Sequence, residues 1–476
     1  MGEGPNRAGA EGVAKTAATA GAMTMVALAF ANGLQGGMSQ TFAQAIDALK
    51  HTFHVNDATL GIVPAGVALA GNFGAVPIAA FCARHKRTAV LAAMFVLWGT
   101  LIAFAGLTPA FRLFGIASAG FAVFAIFRIG AAVLEATDPA ALPLIADWWR
   151  VEDRAKRVSI FNTLSAVPSI GGLVIAGVLI DTVGWRWAFL VWTPVAFVGA
   201  WLIRRQCEPV RGAQDVAYRE RLEAATAGAE HDRIVELVEH EAPVVAAVVA
   251  AEAGGLMGVI RSVIRLRSWR LAAIGLAVTG VMGSGIMSWG LSYFKRTFGM
   301  SSTEAGALAP VLGLGAFIGV FGGGFVADRL LARGMLRARL YVTVAGYGGA
   351  GLVYMAAFST TRLAIAAPLL AVASALGTLP TGPQFAVMMD TTPARLRSQA
   401  SAALNVLQAT GALGPLLVGG LSTLFGENLR LALLCVSPFY VGGALIVAAA
   451  RKTYVDDVAS VVAEARGEAD VGAGPA

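Results

Sequence analysis

Residues 128–157 read RIGAAVLEATDPAALPLIADWWRVEDRAKR and place charged side chains within a long apolar run. The run carries Arg128, Glu135 and Asp138 before the basic end of the stretch begins. An ionised side chain at the centre of a spanning helix costs about 2.5–3.5 kcal/mol on insertion scales, so it requires a partner or water. Arg128 and Glu135 have an i, i+7 spacing, which places them on one face of a helix. The pattern favours a polar site inside a membrane bundle; the alternative is an ion pair near the membrane boundary that only locks helices together.

The composition of the whole chain indicates an integral membrane protein. Hydrophobic residues make up 57% of the 476 residues and charged residues only 14%, and the mean hydropathy is +0.69. Soluble domains carry about 25% charged residues. The apolar runs are continuous, as in spanning helices, and do not alternate as barrel strands do. Their length and number predict an all-α membrane protein.

Twelve apolar runs predict twelve transmembrane helices. They cover residues 22–45, 58–82, 88–107, 113–146, 159–180, 186–203, 269–294, 304–327, 340–358, 363–389, 400–424 and 429–450. The runs fall into two groups of six. We expect a disordered tail (1–21), a first bundle (22–203), a cytoplasmic linker with amphipathic helices (204–268), a second bundle (269–450) and a C-terminal tail (451–476).

The distribution of basic residues predicts the orientation. Lysines and arginines concentrate in every second connection, for example in 84–87, 150–157 and 329–339. By the positive-inside rule these connections lie in the cytoplasm, so the net charge of +7 does not indicate nucleic-acid binding. We therefore expect a multi-pass protein of the inner (plasma) membrane with both termini in the cytoplasm.

The two groups of runs resemble repeats of each other. Asp147 and Arg154 follow the fourth run with an i, i+7 spacing, and Asp390 and Arg397 repeat that spacing after the tenth. Duplicated six-helix halves are typical of transporters that rock two bundles around a substrate site near the membrane midplane.

The loop after the eighth run carries a family motif. Gly324-Phe-Val-Ala-Asp328-Arg329 is similar to the Gly-x-x-x-Asp-Arg motif of the major facilitator superfamily, and the resemblance covers residues 22–452. It implies the major facilitator fold, with a conformational latch at the helix ends. The predicted latch residues are Arg84, Asp147, Arg154, Asp328, Arg329, Asp390 and Arg397. In the first half Ala83 stands where the motif has its acid.

Within the superfamily, the fourth run most resembles bacterial Spinster-like proteins. Arg128, Glu135-Ala136, Pro139-Ala-Ala141 and Ile145-Ala-Asp147 match their fourth-helix pattern. That resemblance implies lysophospholipids or sphingoid phosphates as substrates. The first helix departs from the family's Asn-x-x-Asp-Arg, because Gln35 and Gly36 replace both charges. Glu135 is then the main buried acid, and we expect it to exchange a proton while Arg128 holds the counter-charge or a substrate anion. The alternatives are a multidrug or organic-anion efflux transporter and an uncoupled facilitator.

Other polar and aromatic residues of the runs complete the candidate substrate and coupling set. They are Asn32, Gln35, Ser39, Trp289, Tyr293, Gln384, Asn405 and Gln408, beside Arg128, Glu135 and Asp138. Amides within a span either hydrogen-bond neighbouring helices or line a wet cavity, and both alternatives stay open. Trp289 and Tyr293 also fit an outer aromatic belt, which for Tyr293 is the stronger expectation.

Other functional classes lack their sequence signals. The five histidines lie outside the runs or at their ends, and no metal-ligand cluster or nucleophile motif is present. We therefore expect no enzyme, catalytic residue, metal or cofactor. The expected partners are the lipid bilayer, a small amphiphilic or anionic substrate and the proton as a candidate coupling ion. We expect a monomer that does not bind nucleic acid. The remaining alternatives are a channel and a receptor that binds a substrate without transporting it.

Overall fold

The computed structural model describes residues 6–111, 119–150, 153–211, 264, 266–392, 400, 403–404 and 407–461, with the backbone alone at 6–18, 76, 154–156 and 158–159. The first half of the described chain contains eight helices. They are α1 (Asn6–Phe53), α2 (Asp57–Arg84), α3 (Arg87–Leu107), α4 (Ala119–Val133), α5 (Asp138–Trp148), α6 (Arg154–Thr182), α7 (Trp185–Leu190) and α8 (Trp192–Arg204).

The second half of the described chain is also helical. It contains α9 (Arg267–Phe298), α10 (Ser302–Ala332), α11 (Ala338–Ser359), α12 (Leu363–Thr378), α13 (Thr381–Asp390), a 3-10 turn (Ala409–Ala412), α14 (Leu413–Leu424), α15 (Leu429–Val436), α16 (Pro438–Ala449) and a second 3-10 turn (Ala450–Lys452). Ten helical stretches of the described residues are long and apolar enough to cross a membrane. With α1 and the shorter apolar stretch Ala409–Leu424, they occupy the twelve predicted positions, and the prediction of an all-α membrane protein is confirmed.

Four of the predicted runs are interrupted, each beside a proline. Pro139 lies at the start of α5, Pro194 in the first turn of α8, Pro380 immediately before α13 and Pro438 at the start of α16. Proline has no backbone N–H and fits the first turn of a helix, where no intrahelical partner exists for that group. Each interruption therefore starts a new helix segment within one span.

The described chain forms two compact units. Unit 1 takes its residues from 1–55, 66–234 and 301–306, and unit 2 takes its residues from 56–65, 235–300 and 307–476. The first turns of α2 therefore belong to unit 2 and the first turn of α10 to unit 1, which departs from the predicted bundles 22–203 and 269–450.

Helix-end hydrogen bonds explain both departures. In unit 1, Asp181 at the end of α6 accepts hydrogen bonds from the backbone N–H groups of Ser302 (3.1 Å) and Thr303 (2.7 Å) at the start of α10. In unit 2, Thr423 Oγ1 accepts from the backbone N–H of Ala58 at 3.0 Å. The first N–H groups of a helix lack intrahelical acceptors, so a side chain from another helix stabilises them.

Both predicted tails differ from expectation in their described parts. The backbone is helical from Asn6 onward, so residues 6–21 of the predicted disordered tail belong to α1; their sequence is rich in alanine, the strongest helix former. The predicted tail 451–476 begins inside unit 2, because Tyr454 is buried and donates a hydrogen bond to Asp390 Oδ2 at 3.0 Å. In the predicted linker, residues 212–263 and 265 lie outside the described residues.

Small residues bring α10 and α12 of unit 2 into backbone contact. A Cβ atom on Gly315, Gly319 or Gly323 would overlap a carbonyl oxygen of α12 or of Leu379, the residue that follows it. Close approach of this kind is how membrane helices gain packing energy where no hydrophobic effect drives association.

Candidate functional site

The candidate site of unit 1 lies where the fourth span is interrupted. α4 ends at Val133, and the chain then turns with hydrogen bonds from Glu135 N to Ala132 O (3.1 Å) and from Thr137 N to Glu135 O (2.8 Å). α5 begins at Asp138 with proline in its first turn. The expectation of one continuous helix through Arg128 and Glu135 is therefore wrong, because Pro139 cannot donate a hydrogen bond and disfavours helical geometry at the residue before it.

Arg128 and Glu135 nevertheless form a buried ion pair. Arg128 Nη1 lies 2.9 Å from Glu135 Oε1, and the Trp98 indole N–H donates to the same oxygen at 3.0 Å. The side chain of Arg128 is 1% exposed and that of Glu135 is 15% exposed. One carboxylate oxygen thus accepts two hydrogen bonds, one of them charge-assisted, which fixes its position between α3 and α4.

Gln35 of α1 completes this site. Its Nε2 donates to the carbonyl of Leu134, which lies in the interruption, at 3.3 Å. Among the described residues, its buried Oε1 and the buried Nε of Arg128 have no hydrogen-bond partner. A buried polar atom without a partner costs free energy, so these two atoms favour binding of a water molecule or a polar ligand group.

The remaining predicted residues of the first half have different surroundings. Asn32 Nδ2 donates to Ser165 Oγ at 3.4 Å, so it links α1 to α6. Ser39 is exposed on α1, and Asp138 is exposed in the first turn of α5. The structure therefore brings Gln35 to the Arg128–Glu135 pair, and it does not bring Ser39 or Asp138 into that contact.

In unit 2 the predicted residues are mostly buried and bonded. Trp289 Nε1 donates to Pro415 O at 3.0 Å. Gln384 donates to Ala272 O at 2.8 Å and accepts from the Tyr347 hydroxyl. Tyr293 is 1% exposed and packs against aromatic rings of its own helix and of α11.

Burial of this kind is inconsistent with an aromatic belt, whose side chains face the lipid headgroups. The expectation of a belt position for Tyr293 is therefore wrong, because the side chain points into unit 2. Gln408 is exposed, and Asn405 lies outside the described residues.

In the first half, Asp147 of the predicted latch set pairs with Arg87, which was not in that set. Arg84 ends α2 and is exposed, whereas Arg87 begins α3 and is buried. Arg87 Nη2 lies 2.6 Å from Asp147 at the end of α5, and its Nε lies 3.2 Å from Glu208 beyond α8. The chain turns at residues 85–86, and this turn gives the buried position to Arg87 and leaves Arg84 exposed; a latch role for Arg84 stays a prediction. The side chain of Arg154 lies outside the described residues.

The second half repeats this pairing. Arg339 at the start of α11 lies 2.6 Å from Asp390 at the end of α13. Asp328 is exposed and its carboxylate lies 3.8 Å from Arg339, while Arg329 is exposed. Arg397 lies outside the described residues. In each half, an arginine at the start of the third span pairs with the acid at the end of the fourth span. The i, i+7 spacing in the sequence did not identify these two pairs.

Asp57 of unit 2 is a charged residue that sequence reasoning missed. Its side chain is fully buried at the start of α2, where Arg296 Nη1 approaches Oδ2 to 2.5 Å and Nη2 approaches Oδ1 to 2.9 Å. Ser422 Oγ also donates to Oδ2 at 2.7 Å. An acid before an apolar run resembles an ordinary helix start, so no sequence signal distinguished it.

Three comparisons with known proteins agree on one fold. The sequence model of the Major Facilitator Superfamily matches residues 25–415. An MFS-type efflux pump of Mycolicibacterium smegmatis is 26% identical over 424 residues, which cover 87% of this chain and 88% of the pump. Among solved structures, an inward-facing bacterial homologue of the human lysosomal transporter Spinster aligns with a TM-score of 0.70 at 20% identity, over 92% of this chain and 98% of that one. The xylose transporter XylE from E. coli aligns with a TM-score of 0.60 at 14% identity, over 89% and 94%.

Proposed function

We propose that this chain, which belongs to the Major Facilitator Superfamily and is therefore a multi-pass membrane transporter and not an enzyme, carries a small amphiphilic or anionic solute by alternating access. We place it in the cytoplasmic membrane with both termini inside, because its basic residues concentrate in alternate connections. The observation that carries the proposal is the buried Arg128–Glu135 pair at the interruption of the fourth span.

Charge balance gives this pair a role in coupling. When Glu135 is ionised, it neutralises Arg128, which is almost fully buried. When Glu135 binds a proton, the guanidinium lacks its counter-charge, and an anionic headgroup supplies it at low cost. Proton and anion then favour each other's binding, which couples a proton gradient to substrate movement. Gln35 carries no charge, so Glu135 is the acid that exchanges the proton in this site.

Cargo class follows from the resemblance of the fourth span to Spinster-like proteins and from the charge of the site. One strong cation beside uncharged amides suits a single anionic or zwitterionic head, as in a lysophospholipid. A sugar phosphate of higher charge requires more basic contacts than this site supplies. The second candidate is efflux of drugs or organic anions, which the 26% identity to an MFS-type efflux pump favours.

The test is flux of labelled lysophospholipid into liposomes that contain the purified protein, with and without a pH gradient. We expect the gradient to accelerate flux in the wild type and in D138N, whose carboxylate is exposed three residues along the same span. E135Q should lose the acceleration. Gradient-driven flux in E135Q would refute proton coupling through Glu135, and equal flux with and without the gradient would identify a facilitator. Absence of lysophospholipid flux, with efflux of lipophilic cations instead, would favour the second candidate.

A further inference from the structure

An arginine stacks on a tryptophan where the fourth span ends and the fifth begins. The guanidinium carbon of Arg157 lies 3.8 Å from the centre of the Trp149 ring, and both side chains are partly exposed. Trp149 directly follows the last residue of α5, and Arg157 lies three residues before the apolar stretch that starts at Ile160. The pair therefore lies at the boundary of the membrane, where lipid headgroups are found.

The stacked guanidinium keeps its hydrogen-bond donors free. Stacking uses the flat face of the group, whereas its N–H donors point outward in the plane. Among the described residues, Arg157 forms no ion pair, and its buried Nε has no hydrogen-bond partner. A planar cation that a ring holds in place is preorganised for an anion with two oxygens, such as a phosphate, which it binds through two parallel N–H···O bonds.

The indole N–H groups of Trp148 and Trp149 are two further donors at this junction. Both nitrogen atoms are buried, and within the described part of the chain neither has a hydrogen-bond partner. The ring of Trp148 is fixed by α1, since a Cβ atom on Gly21 would lie 3.3 Å from its Cε3 atom. Indole and guanidinium nitrogens are donors only. The unsatisfied groups at this junction therefore require acceptors, and an anion with several oxygens supplies them together.

The charge of the connection suits an anion as well. Residues 150–157 contain four basic and two acidic residues, so their net charge is +2. By the positive-inside rule this connection lies in the cytoplasm, in agreement with the proposed orientation. The cytoplasmic leaflet carries anionic lipids, which attract basic segments next to membrane helices. The donors of the junction and the adjacent membrane surface therefore indicate the same class of ligand.

We propose that Trp148, Trp149 and Arg157 bind the phosphate of an anionic phospholipid in the inner leaflet. The guanidinium edge of Arg157 and the two indole N–H groups donate to the phosphate oxygens, and the ring of Trp149 orients the guanidinium. This site goes beyond the proposed function, because the lipid is a bound ligand of the junction between α5 and α6, whereas the transported solute binds at Arg128 and Glu135.

A second arginine–tryptophan pair provides a matched control. The guanidinium carbon of Arg205 lies 4.0 Å from the centre of the Trp201 ring at the end of α8. Trp201 is 52% exposed, and Arg205 is exposed as well. Neither residue contributes a buried polar atom without a partner within the described chain, in contrast to Trp149 and Arg157. The two pairs share their chemistry, and they differ in the unsatisfied donors on which the proposal depends.

The test is native mass spectrometry of the full-length protein in a neutral detergent, titrated with phosphatidylglycerol and, in parallel, with phosphatidylcholine. We expect the wild type to bind phosphatidylglycerol more tightly than phosphatidylcholine. R157Q should raise the Kd for phosphatidylglycerol about tenfold, since it removes charge-assisted hydrogen bonds, and R205Q should leave that Kd unchanged. Equal Kd values in R157Q and R205Q would overturn the proposal, and so would equal binding of the two lipids by the wild type.

A second measurement separates a lipid site from a general phosphate site. Phosphatidylglycerol should raise the unfolding temperature of the wild type and of R205Q more than that of R157Q, because a ligand of the folded state stabilises it. Glycerol 3-phosphate, which has no acyl chains, should have no such effect, and an equal rise would overturn the assignment to a lipid.

A conservative variant covers the case in which R157Q does not fold. R157K keeps the charge and loses the planar fork, so we expect it to raise the Kd for phosphatidylglycerol about threefold. R157K with the wild-type Kd would overturn the role of the guanidinium. A wild type without lysophospholipid flux would refute the proposed cargo class, and the lipid-binding comparison would still decide this site.

Discussion

Replacing Glu135 with glutamine removes one charge from the fourth span and preserves the shape of the side chain. Glu135 Oε1 accepts hydrogen bonds from Arg128 Nη1 at 2.9 Å and from Trp98 Nε1 at 3.0 Å. The amide oxygen of glutamine can also accept two hydrogen bonds. The substitution removes the negative charge that balances the guanidinium of Arg128, whose side chain is 1% exposed. Removing one partner of a buried ion pair costs about 3–5 kcal/mol. Since both hydrogen bonds persist, we expect about 3 kcal/mol, the lower end of that range, or roughly a hundredfold in the folding equilibrium constant.

The assay is reversible unfolding in mixed micelles with an increasing fraction of denaturing detergent. It compares the wild type, E135Q, R128M and the double variant R128M/E135Q. The double variant buries no charge at this site, so we expect it to be more stable than E135Q alone. An E135Q protein within about 0.5 kcal/mol of the wild type would refute the reasoning, because that is the range of surface substitutions. A double variant less stable than both single variants would refute it as well.

Three further substitutions test other parts of the structure in the same unfolding assay. D57N removes the fully buried carboxylate of unit 2 and should cost about 3 kcal/mol, whereas the exposed control D456N should stay within about 0.5 kcal/mol of the wild type. G323A forces a methyl group against a carbonyl oxygen and should cost about 1–3 kcal/mol, but G322A meets no atom within 4 Å and should stabilise its helix by up to about 1 kcal/mol. A stable G323A protein would contradict the backbone contact. Burial raises the pKa of Glu208, but hydrogen bonds from Arg87 and Thr88, together with the charge of Arg87, outweigh burial and hold the pKa below its ordinary value of 4.5. Its contribution is therefore present above pH 4.5 and is lost as the pH falls through the folded-state pKa. The difference in unfolding temperature between the wild type and E208Q should therefore shrink on acidification; a difference that grows would contradict this sign.

Spans could be predicted from sequence because the bilayer fixes both their length and their apolar composition. The interruption at residues 134–137 could not, since membrane helices also tolerate proline when neighbouring groups satisfy the freed backbone. Gln35 supplies such a group by donating to Leu134 O, and that contact depends on tertiary packing. The same packing explains the two units, whose boundaries follow hydrogen bonds at helix ends that no local pattern predicts.

The candidate site was predicted in part. The spacing of Arg128 and Glu135 predicts that their side chains meet, and they do, although through a turn and not along one helix. Their role in transport stays a prediction. The pairing of Arg87 with Asp147 could not be predicted, because a two-residue turn decides which arginine of a basic loop is buried. Asp57 was missed because its partner Arg296 lies more than two hundred residues away in the chain.

The interruption of the fourth span also constrains how the chain enters the bilayer. At about 1.5 Å per residue, the 15 residues of α4 span roughly 22 Å and the 11 residues of α5 roughly 16 Å, while the hydrocarbon core is about 30 Å thick. Neither segment is long enough to insert by itself. Only the two segments together, residues 119–148, are long enough to cross the hydrocarbon core. This span therefore enters the bilayer with a turn at Glu135 whose polar groups are bonded by its neighbours: Gln35 of α1 donates to Leu134 O, and Trp98 of α3 donates to the Glu135 carboxylate.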